Sequence, residues 1–231
     1  RAVVDVPPLV DARPGDDPLR VAAESGEVGV GDHAGRHRGA DANSRLVDPE
    51  DIKTWPLFGD GAGAVLLEPA EADASGRERG LLAYALGSDG RGAGLLACPM
   101  SGSRRPVTPE GLARREQFMQ MDGRAVFKWA IRLAEDNIRQ VVDRSGVPFE
   151  HVDLFVLHQA NARIIEGVRG ALGLPADKVF MNLDRYGNTS SGSIPLALDE
   201  AWKAGRVGPG STVVICGFGG GLAWGSAVWR L

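Results

Sequence analysis

Residues 154–165 read Leu154-Phe155-Val156-Leu157-His158-Gln159-Ala160-Asn161-Ala162-Arg163-Ile164-Ile165. The four apolar residues at the start predict a short buried strand, and the apolar spacing after them predicts a helix. His158 stands where the strand gives way to the helix, and in open α/β folds ligands and catalytic groups collect at such strand ends. Imidazole can exchange or donate a proton near neutral pH. His158 is therefore a candidate catalytic residue, with a hydrogen-bonded structural histidine as the alternative.

Composition limits the classes of protein to consider. The 231 residues are enough for one large domain or two small ones, and 26 basic against 30 acidic residues give a net charge of -4. This balance provides no general electrostatic attraction to nucleic acid or to an anionic membrane. The sequence shows no apolar run of transmembrane length and no signal-peptide pattern at its start. We expect a soluble cytoplasmic protein that binds neither nucleic acid nor a membrane.

The two cysteines are far apart in the sequence. Cys98 and Cys216 have no His or Cys at metal-ligand spacing, which predicts neither a disulfide framework nor a zinc site. His33 and His37 are four residues apart, but the glycines around them argue against a helix that presents both to a metal. We interpret these two histidines as solvated loop residues, and we predict no metal site.

Strand and helix signals alternate along most of the chain, which predicts the α/β class. Strands are predicted at residues 81–86, 154–157, 178–182, 212–216 and 222–229, and helices over 121–145, from 162 onward and over 194–204. Residues 58–68 form a glycine-rich turn that runs into an apolar strand. No helix follows this turn and the Lys-Ser/Thr ending of a phosphate loop is missing, so we predict a tight turn with close backbone packing.

Three loops that follow predicted strands carry polar groups or glycines. They contain His158, Asn188 and the glycine run 217–221. A neutral His Nε2–H and an Asn amide N–H could together hold an enolate or thioester oxyanion, and backbone N–H groups of the glycine loop could hold a second one. This combination is typical of carbon–carbon bond formation.

Four motifs carry a resemblance to a known family. Residues 58–64, 158–165, 184–190 and 218–226, in this order, resemble β-ketoacyl-acyl-carrier-protein synthase III, and the resemblance runs from about Gly39 to Leu231. It implies a thiolase-like α/β fold of duplicated halves in a homodimer. The chain would then hold the C-terminal half, a mixed five-stranded sheet with covering helices, beside an incomplete N-terminal half.

The resemblance also implies roles for single residues. His158 and Asn188 would bind the malonyl thioester oxygen and stabilise the enolate, and the backbone N–H of Gly220 would contribute to the oxyanion hole. The CoA/pantetheine tunnel would be lined by Gly123, Phe127, Ala160 and Asn161, and the acidic acyl-carrier protein would dock on Lys128 and Arg163. Acyl-CoA and acyl-carrier-protein thioesters are the implied substrates, and neither a metal nor a redox cofactor is implied.

The sequence departs from the family pattern at the nucleophile. The family's cysteine follows a short strand similar to residues 2–6, but residues 7–38 contain no cysteine, and neither Cys98 nor Cys216 matches its position. Residues 7–38 have a suitable length but a composition rich in Pro, Gly, Asp, Arg and His. We hypothesise that a frameshift or a gene-model error produced this stretch. Residues 1–38 are then predicted to be a disrupted, poorly ordered remnant of the N-terminal half. Residues 39–120 would be the end of that half with a connecting excursion, and residues 121–231 the C-terminal condensing domain. Resequencing of the locus tests this hypothesis, which an uninterrupted frame without an upstream half would refute.

Several functions stay open from the sequence. The leading one is decarboxylative condensation of an acyl-CoA primer with malonyl-acyl-carrier protein, the start of fatty acid synthesis. The alternatives are a cysteine-less malonyl-thioester decarboxylase, a non-catalytic half-fold with an open sheet edge and uncovered apolar surface, and a related condensing enzyme of secondary metabolism or head-to-head acyl joining.

Overall fold

A computed structural model of the chain describes residues 35–67, 76 and 78–231. Residues 2–6, which we compared with the strand before the family's cysteine, and most of the tract 7–38 lie outside these residues. Nine strands are described: β1 (Gly35–Asp41), β2 (Gly61–Leu67), β3 (Gly80–Ser88), β4 (Leu96–Ala97), β5 (Gln120–Met121), β6 (Leu154–Leu157), β7 (Val179–Phe180), β8 (Thr212–Gly219) and β9 (Ala223–Arg230). The helices of this part are α1 (Pro109–Ala113), α2 (Gly123–Ser145), α3 (Ala162–Leu172), α4 (Leu183–Tyr186) and α5 (Ser193–Lys203).

Strand β1 corrects the boundary that we placed at Gly39. The strand begins at Gly35 and pairs antiparallel with β2, so the last residues of the tract 7–38 are in a strand. His37, which we interpreted as a loop residue, lies in this strand with an exposed side chain. Periodicity does not indicate this strand, because its polar residues follow no apolar period. The strand is held by backbone pairing with β2.

Five strands form a mixed sheet in the order β3-β9-β8-β6-β7. Strand β6 pairs parallel with both β7 and β8, whereas β9 pairs antiparallel with β8 and β3. The carboxyl ends of β6 and β8 therefore meet at one edge of the sheet. The predicted mixed five-stranded sheet is confirmed, and it brings the loop after His158 next to the glycine loop after β8.

Helices cover both faces of the sheet around β6. On one face Phe155 and Leu157 join the core that α2 and α3 complete, and on the other Leu154 and Val156 pack in the core that includes residues of α5. All four residues of β6 are buried, because the strand has apolar neighbours on both faces. This double burial explains why the strand reads as a continuous apolar run.

Capping residues set the ends of the two long helices. The Asp122 side chain accepts a hydrogen bond from the Ala125 N–H (3.0 Å) at the start of α2, and Asn161 accepts one from the Ile164 N–H (2.9 Å) at the start of α3. Both helices end at glycines with positive φ, Gly146 and Gly173. The helix predicted over 121–145 is thus present, and it begins two residues later, at Gly123.

Two strands differ in length from their predictions. Strand β7 has only the two residues Val179 and Phe180, whereas a strand was predicted over 178–182. Strand β8 continues through Gly217 and Gly219, which we assigned to a glycine loop, because these residues pair with β9. The glycine loop is therefore a turn at residues 220–222.

An apolar surface lies on the β3 and β9 side of the sheet. Leu81, Tyr84 and Leu86 of β3 are 46%, 61% and 77% exposed, and Trp224 and Trp229 of β9 border the same surface. This is the uncovered apolar surface expected for the half-fold. In residues 35–67, 76 and 78–231, no helix combines the length and hydrophobicity needed to span a bilayer.

Candidate active site

The ends of β6 and β8 open into a cavity of about 480 Å³. His158 follows β6 and Asn188 precedes α5, and both line this cavity together with residues 217–220. Residues 96–98 and Met119 also line this cavity. The three loops that we singled out in the sequence therefore meet around one space.

The imidazole of His158 is held on one side and faces the cavity on the other. The His158 N–H donates to the Cys216 carbonyl (2.8 Å), which ties the residue to β8. Its Nδ1 lies 2.7 Å from the Ser193 hydroxyl, and its ring meets the Phe218 ring edge-to-face with centroids 5.3 Å apart. Burial lowers the pKa of His158 to about 4, so the ring is neutral at pH 7. With Nδ1 engaged, Nε2 is the ring nitrogen that remains for a ligand.

The amide of Asn188 is oriented by its own loop. Its Oδ1 accepts a hydrogen bond from the Ser190 N–H (2.9 Å), and a backbone N–H can only donate. The oxygen is thus identified. Within the part of the chain that the structure describes, the amide nitrogen has no hydrogen-bond partner, so it can donate to a group in the cavity. The Asn188 backbone is fixed as well, because its N–H donates to the Leu57 carbonyl (2.9 Å) and its carbonyl accepts from the Gly59 N–H (3.0 Å).

The glycine-rich stretch 58–64 supports the Asn188 loop. A Cβ on Gly59 would lie 2.0 Å from the Tyr186 carbonyl oxygen, and one on Gly61 would lie 2.7 Å from the Thr189 side chain. Such distances exclude any side chain at these positions without movement of the loop. The predicted tight backbone packing of this stretch is confirmed, and its purpose is to hold the segment that carries Asn188.

We expect Gly59→Ala to destabilise the chain by about 1–3 kcal/mol, because the new methyl group must push the Tyr186 carbonyl away. Urea unfolding measures the effect. Gly208→Ala is the matched control, since a Cβ at Gly208 meets nothing within 4 Å. Equal stabilities of the two variants would contradict this explanation of the glycine motif.

The predicted oxyanion-hole residue Gly220 lies in the turn after β8 and lines the cavity with His158 and Asn188. A Cβ at Gly220 would lie 3.3 Å from the Leu96 carbonyl oxygen. The turn therefore passes close to the Leu96 backbone, and a larger residue at position 220 would crowd it.

The residues predicted to line a tunnel separate into two groups. Ala160 and Asn161 border a narrow space of about 50 Å³ next to His158 and Asn188. Gly123 and Phe127 line neither this space nor the main cavity; Gly123 is the first residue of α2, and Phe127 packs against the core.

The two basic residues predicted to dock a carrier protein are exposed near α2 and α3. Lys128 lies on α2, and the Arg163 guanidinium stacks over the Phe127 ring at 5.3 Å from its centroid. The structure brings Arg163 and Phe127 together. The tunnel and docking roles themselves stay predictions.

Two buried side chains of the site were missed in the sequence. Gln159 donates to the Leu157 carbonyl (2.8 Å) and accepts from the Asn182 N–H (3.1 Å), so it joins the end of β6 to the segment after β7. Ser193 contacts His158 across 35 positions of sequence. Neither contact leaves a local pattern, although a polar residue two positions after a buried strand is a weak signal for Gln159.

The cysteines differ in position. Cys98 lines the cavity that holds His158, whereas Cys216 is buried in β8. Partial burial raises the pKa of the Cys98 thiol, so it stays protonated at neutral pH. Within the part of the chain that the structure describes, no group of three His, Cys, Asp or Glu side chains is arranged to hold a metal.

Accessibility of Cys98 can be checked directly. We expect a thiol reagent to modify one equivalent of cysteine in the native chain and two after unfolding, because only Cys98 is exposed. Titration of the native chain, the unfolded chain and a Cys98→Ser variant measures this. Native reactivity that survives in Cys98→Ser would show that Cys216 is not buried in solution.

Comparison with known proteins identifies the family. The family model for 3-oxoacyl-[acyl-carrier-protein (ACP)] synthase III matches residues 38–90. The model for the C-terminal part of this family matches residues 142–231. The β-ketoacyl-[acyl-carrier-protein] synthase III of Rhodopirellula baltica is 51% identical over 205 residues, which are 83% of this chain and 59% of that protein. The chain belongs to the β-ketoacyl-acyl-carrier-protein synthase III family.

Solved structures agree with this assignment. The β-ketoacyl-[acyl carrier protein] synthase III of Thermus thermophilus is 39% identical with a TM-score of 0.75, over 86% of this chain and 59% of that one. The priming β-ketosynthase of the R1128 polyketide biosynthetic pathway is 30% identical with a TM-score of 0.72, over 86% and 57%. The predicted thiolase-like α/β fold and the predicted family are confirmed.

The matches also show what the chain spans. It corresponds to 59% of the length of the synthase III relatives from Rhodopirellula baltica and Thermus thermophilus. The family models do not cover residues 91–141, which include Cys98, Gly123, Phe127 and Lys128. His158, Asn188 and Gly220, in contrast, all lie inside the matched C-terminal region.

Proposed function

We propose that the cavity around His158 and Asn188 stabilises the enolate formed when a malonyl thioester loses carbon dioxide. In the whole protein this step would serve the condensation of an acyl-CoA primer with malonyl-acyl-carrier protein, which initiates fatty acid synthesis. One observation carries the proposal. Both side chains line one cavity, and in each of them one polar atom is already hydrogen-bonded. His158 Nδ1 contacts the Ser193 hydroxyl, and Asn188 Oδ1 accepts from the Ser190 N–H.

The remaining donors suit the charge that develops. As the bond between the carboxylate carbon and the α-carbon breaks, its electron pair moves into the thioester, carbon dioxide leaves and the carbonyl oxygen becomes an enolate oxygen. His158 Nε2–H and the Asn188 amide N–H would donate to this oxygen. A neutral imidazole is suited to this task because it donates without releasing a proton to the enolate. The enolate carbon then takes a proton from water, or attacks an acyl thioester in the complete reaction.

Decarboxylation and condensation need different groups in the protein. Decarboxylation needs the oxyanion donors, whereas condensation needs an acylated nucleophile. Neither Cys98 nor Cys216 matches the position of the family's cysteine. For the chain as written we therefore propose malonyl-thioester decarboxylation without condensation. This chemistry uses no metal or redox cofactor.

The partners follow from the same proposal. Acyl-CoA and the acidic acyl-carrier protein would approach past Lys128 and Arg163, whose exposed positive charges suit an acidic surface. Gly123, Phe127, Ala160 and Asn161 would line the path of the pantetheine arm, and Gly220 would add its backbone N–H to an oxyanion hole. We further propose that the whole protein is a cytoplasmic homodimer.

A second function has a specific observation in its favour. The priming β-ketosynthase of the R1128 polyketide pathway is 30% identical to this chain, so the same donors could serve secondary metabolism. The decarboxylation step is common to both functions. Comparison of acyl-carrier proteins from fatty acid and polyketide pathways as donors of the malonyl group distinguishes them.

Release of labelled carbon dioxide from carboxyl-labelled malonyl-CoA and malonyl-acyl-carrier protein tests the proposal. We expect release by the chain and its loss in a His158→Ala, Asn188→Ala double variant. A folded chain that releases no carbon dioxide above the double variant would refute the proposed activity and favour the non-catalytic half-fold.

A further inference from the structure

The hydroxyl of Ser193 is buried against the ring of His158. Ser193 is the first residue of α5 and is only 1% exposed. Its Oγ lies 2.7 Å from His158 Nδ1 and accepts a hydrogen bond from the Gln159 N–H at 3.3 Å. The serine thus contacts both the catalytic candidate and the residue after it.

The partners of the Ser193 hydroxyl favour one direction for its hydrogen bond with His158. The Gln159 N–H can only donate, so it uses one lone pair of the Ser193 oxygen. The hydroxyl hydrogen of Ser193 still needs an acceptor. Among the residues that the structure describes, His158 Nδ1 is the acceptor within hydrogen-bond distance of this hydroxyl. Donation to Nδ1 requires that Nδ1 carries no proton.

A neutral imidazole with a bare Nδ1 holds its proton on Nε2. This is the tautomer that presents a donor to the cavity. With the other tautomer, Nε2 would present a lone pair to the enolate oxygen and repel it. The identity of the group at Nδ1 therefore decides whether His158 can stabilise negative charge.

We infer that Ser193 is a positioning residue, whose hydroxyl donates to His158 Nδ1 and so keeps the proton of the neutral ring on Nε2. The consequence for activity rests on the proposed function, whereas the tautomer itself does not. Ser193 touches no substrate in this arrangement and acts only through His158.

The location of Ser193 supports this role. The backbone around it is fixed by α5, and His158 is fixed by the bond of its N–H to the Cys216 carbonyl (2.8 Å). Two rigid elements from distant parts of the chain thus hold donor and acceptor at a set distance. The Phe218 ring packs edge-to-face on the imidazole at 5.3 Å and limits its rotation.

Nuclear magnetic resonance of the full 231-residue chain with nitrogen-labelled histidine tests the inference. Long-range correlations between ring nitrogens and ring protons report the tautomer, and a His158→Gln variant assigns the His158 signals. We expect the Nε2–H tautomer at pH 7 in the wild type. In Ser193→Ala we expect a mixture of tautomers and a roughly ten-fold lower rate constant for decarboxylation at saturating malonyl-CoA, with little change in KM.

Two further variants separate positioning from stability. Ser193→Thr keeps the hydroxyl and should restore both the Nε2–H tautomer and the rate. Ser226→Ala removes another buried hydroxyl, from β9. Ser226 is 3% exposed and its Oγ has no hydrogen-bond partner among the described residues, so this change should leave the tautomer as in the wild type.

Each outcome decides the inference. The Nδ1–H tautomer in the wild type, or an unchanged Nε2–H tautomer in Ser193→Ala, would overturn it. A tautomer that changes in Ser193→Ala and returns in Ser193→Thr supports it, even if no variant releases carbon dioxide. In that last case the proposed function fails and the role of Ser193 stands.

Discussion

We expect replacement of Asn188 by aspartate to lower the rate of the proposed malonyl-thioester decarboxylation by about 100- to 1,000-fold, the usual cost of losing one oxyanion donor. The change removes the amide N–H and puts a carboxylate next to the enolate oxygen. The aspartate can still accept from the Ser190 N–H, because that contact uses Oδ1. The loop therefore keeps its hydrogen bond, and the loss reports the missing donor.

His158→Ala should lower the rate by a similar factor, since it removes the second donor from the same cavity. His151→Ala is the matched control, because His151 is an exposed histidine that does not line this cavity. Rates are measured as carbon dioxide release at saturating malonyl-CoA, with folding checked by circular dichroism. Asn188→Asp activity within a factor of ten of the wild type would contradict the assignment of Asn188 as a donor.

Burial of His158 makes the stability of the chain depend on pH. The pKa of this histidine is lowered to about 4 in the folded chain, from 6.5 for the unperturbed group. As the pH falls below 6.5, the unfolded chain takes up this proton before the folded chain does. The stabilisation is therefore complete above pH 6.5 and is lost as the pH falls toward 4.

The difference between the two pKa values corresponds to about 3 kcal/mol of the free energy of unfolding, of which about 2 kcal/mol is lost by pH 5. Urea unfolding at pH 7.5 and pH 5 measures the loss. Between pH 7.5 and pH 5 the carboxyl groups of Asp48, Asp89 and Glu116 stay ionised in the folded chain, because arginine partners lower their pKa values. Titration of these three groups therefore adds little to the measured loss.

His158→Gln is the control for this experiment, because glutamine cannot take up the proton. We expect the stability difference between pH 7.5 and pH 5 to be about 2 kcal/mol smaller in this variant than in the wild type. Identical differences in both chains would mean that His158 is solvated and titrates normally.

Local patterns determined much of the site. The apolar run of β6, the helical spacing of α2 and the polar loop before α5 were readable because each is a property of consecutive residues. His158 was recognised as a residue that follows a strand, and the order of four motifs indicated the family. The prediction that Asn188 also follows a strand was wrong, because the short helix α4 (Leu183–Tyr186) lies between β7 and Asn188. The structure places both residues on one cavity.

The positions that prediction missed depend on distant pairing. Strand β1 has no apolar period. It is held by pairing with β2, whose residues lie 20 positions away at the pair Asp41 and Gly61 and 32 positions away at the pair Gly35 and Leu67. Strand β8 extends beyond its apolar run because β9 pairs with Gly217 and Gly219. Backbone pairing of this kind is indifferent to side chains, so composition does not report it.

The sequence by itself indicated the α/β class through its periodicity and the family through short motifs, and the resemblance implied the mixed sheet. It also marked His158 and Asn188 as candidate donors, because both stand in polar segments next to predicted elements. Only the tertiary structure decided that Cys98 lines the cavity and that Ser193 contacts His158 Nδ1. These residues lie far from His158 in sequence, and contacts over such separations depend on how β6, β8 and α5 pack. The tautomer of the imidazole is set by that packing, since it depends on which atom stands beside Nδ1.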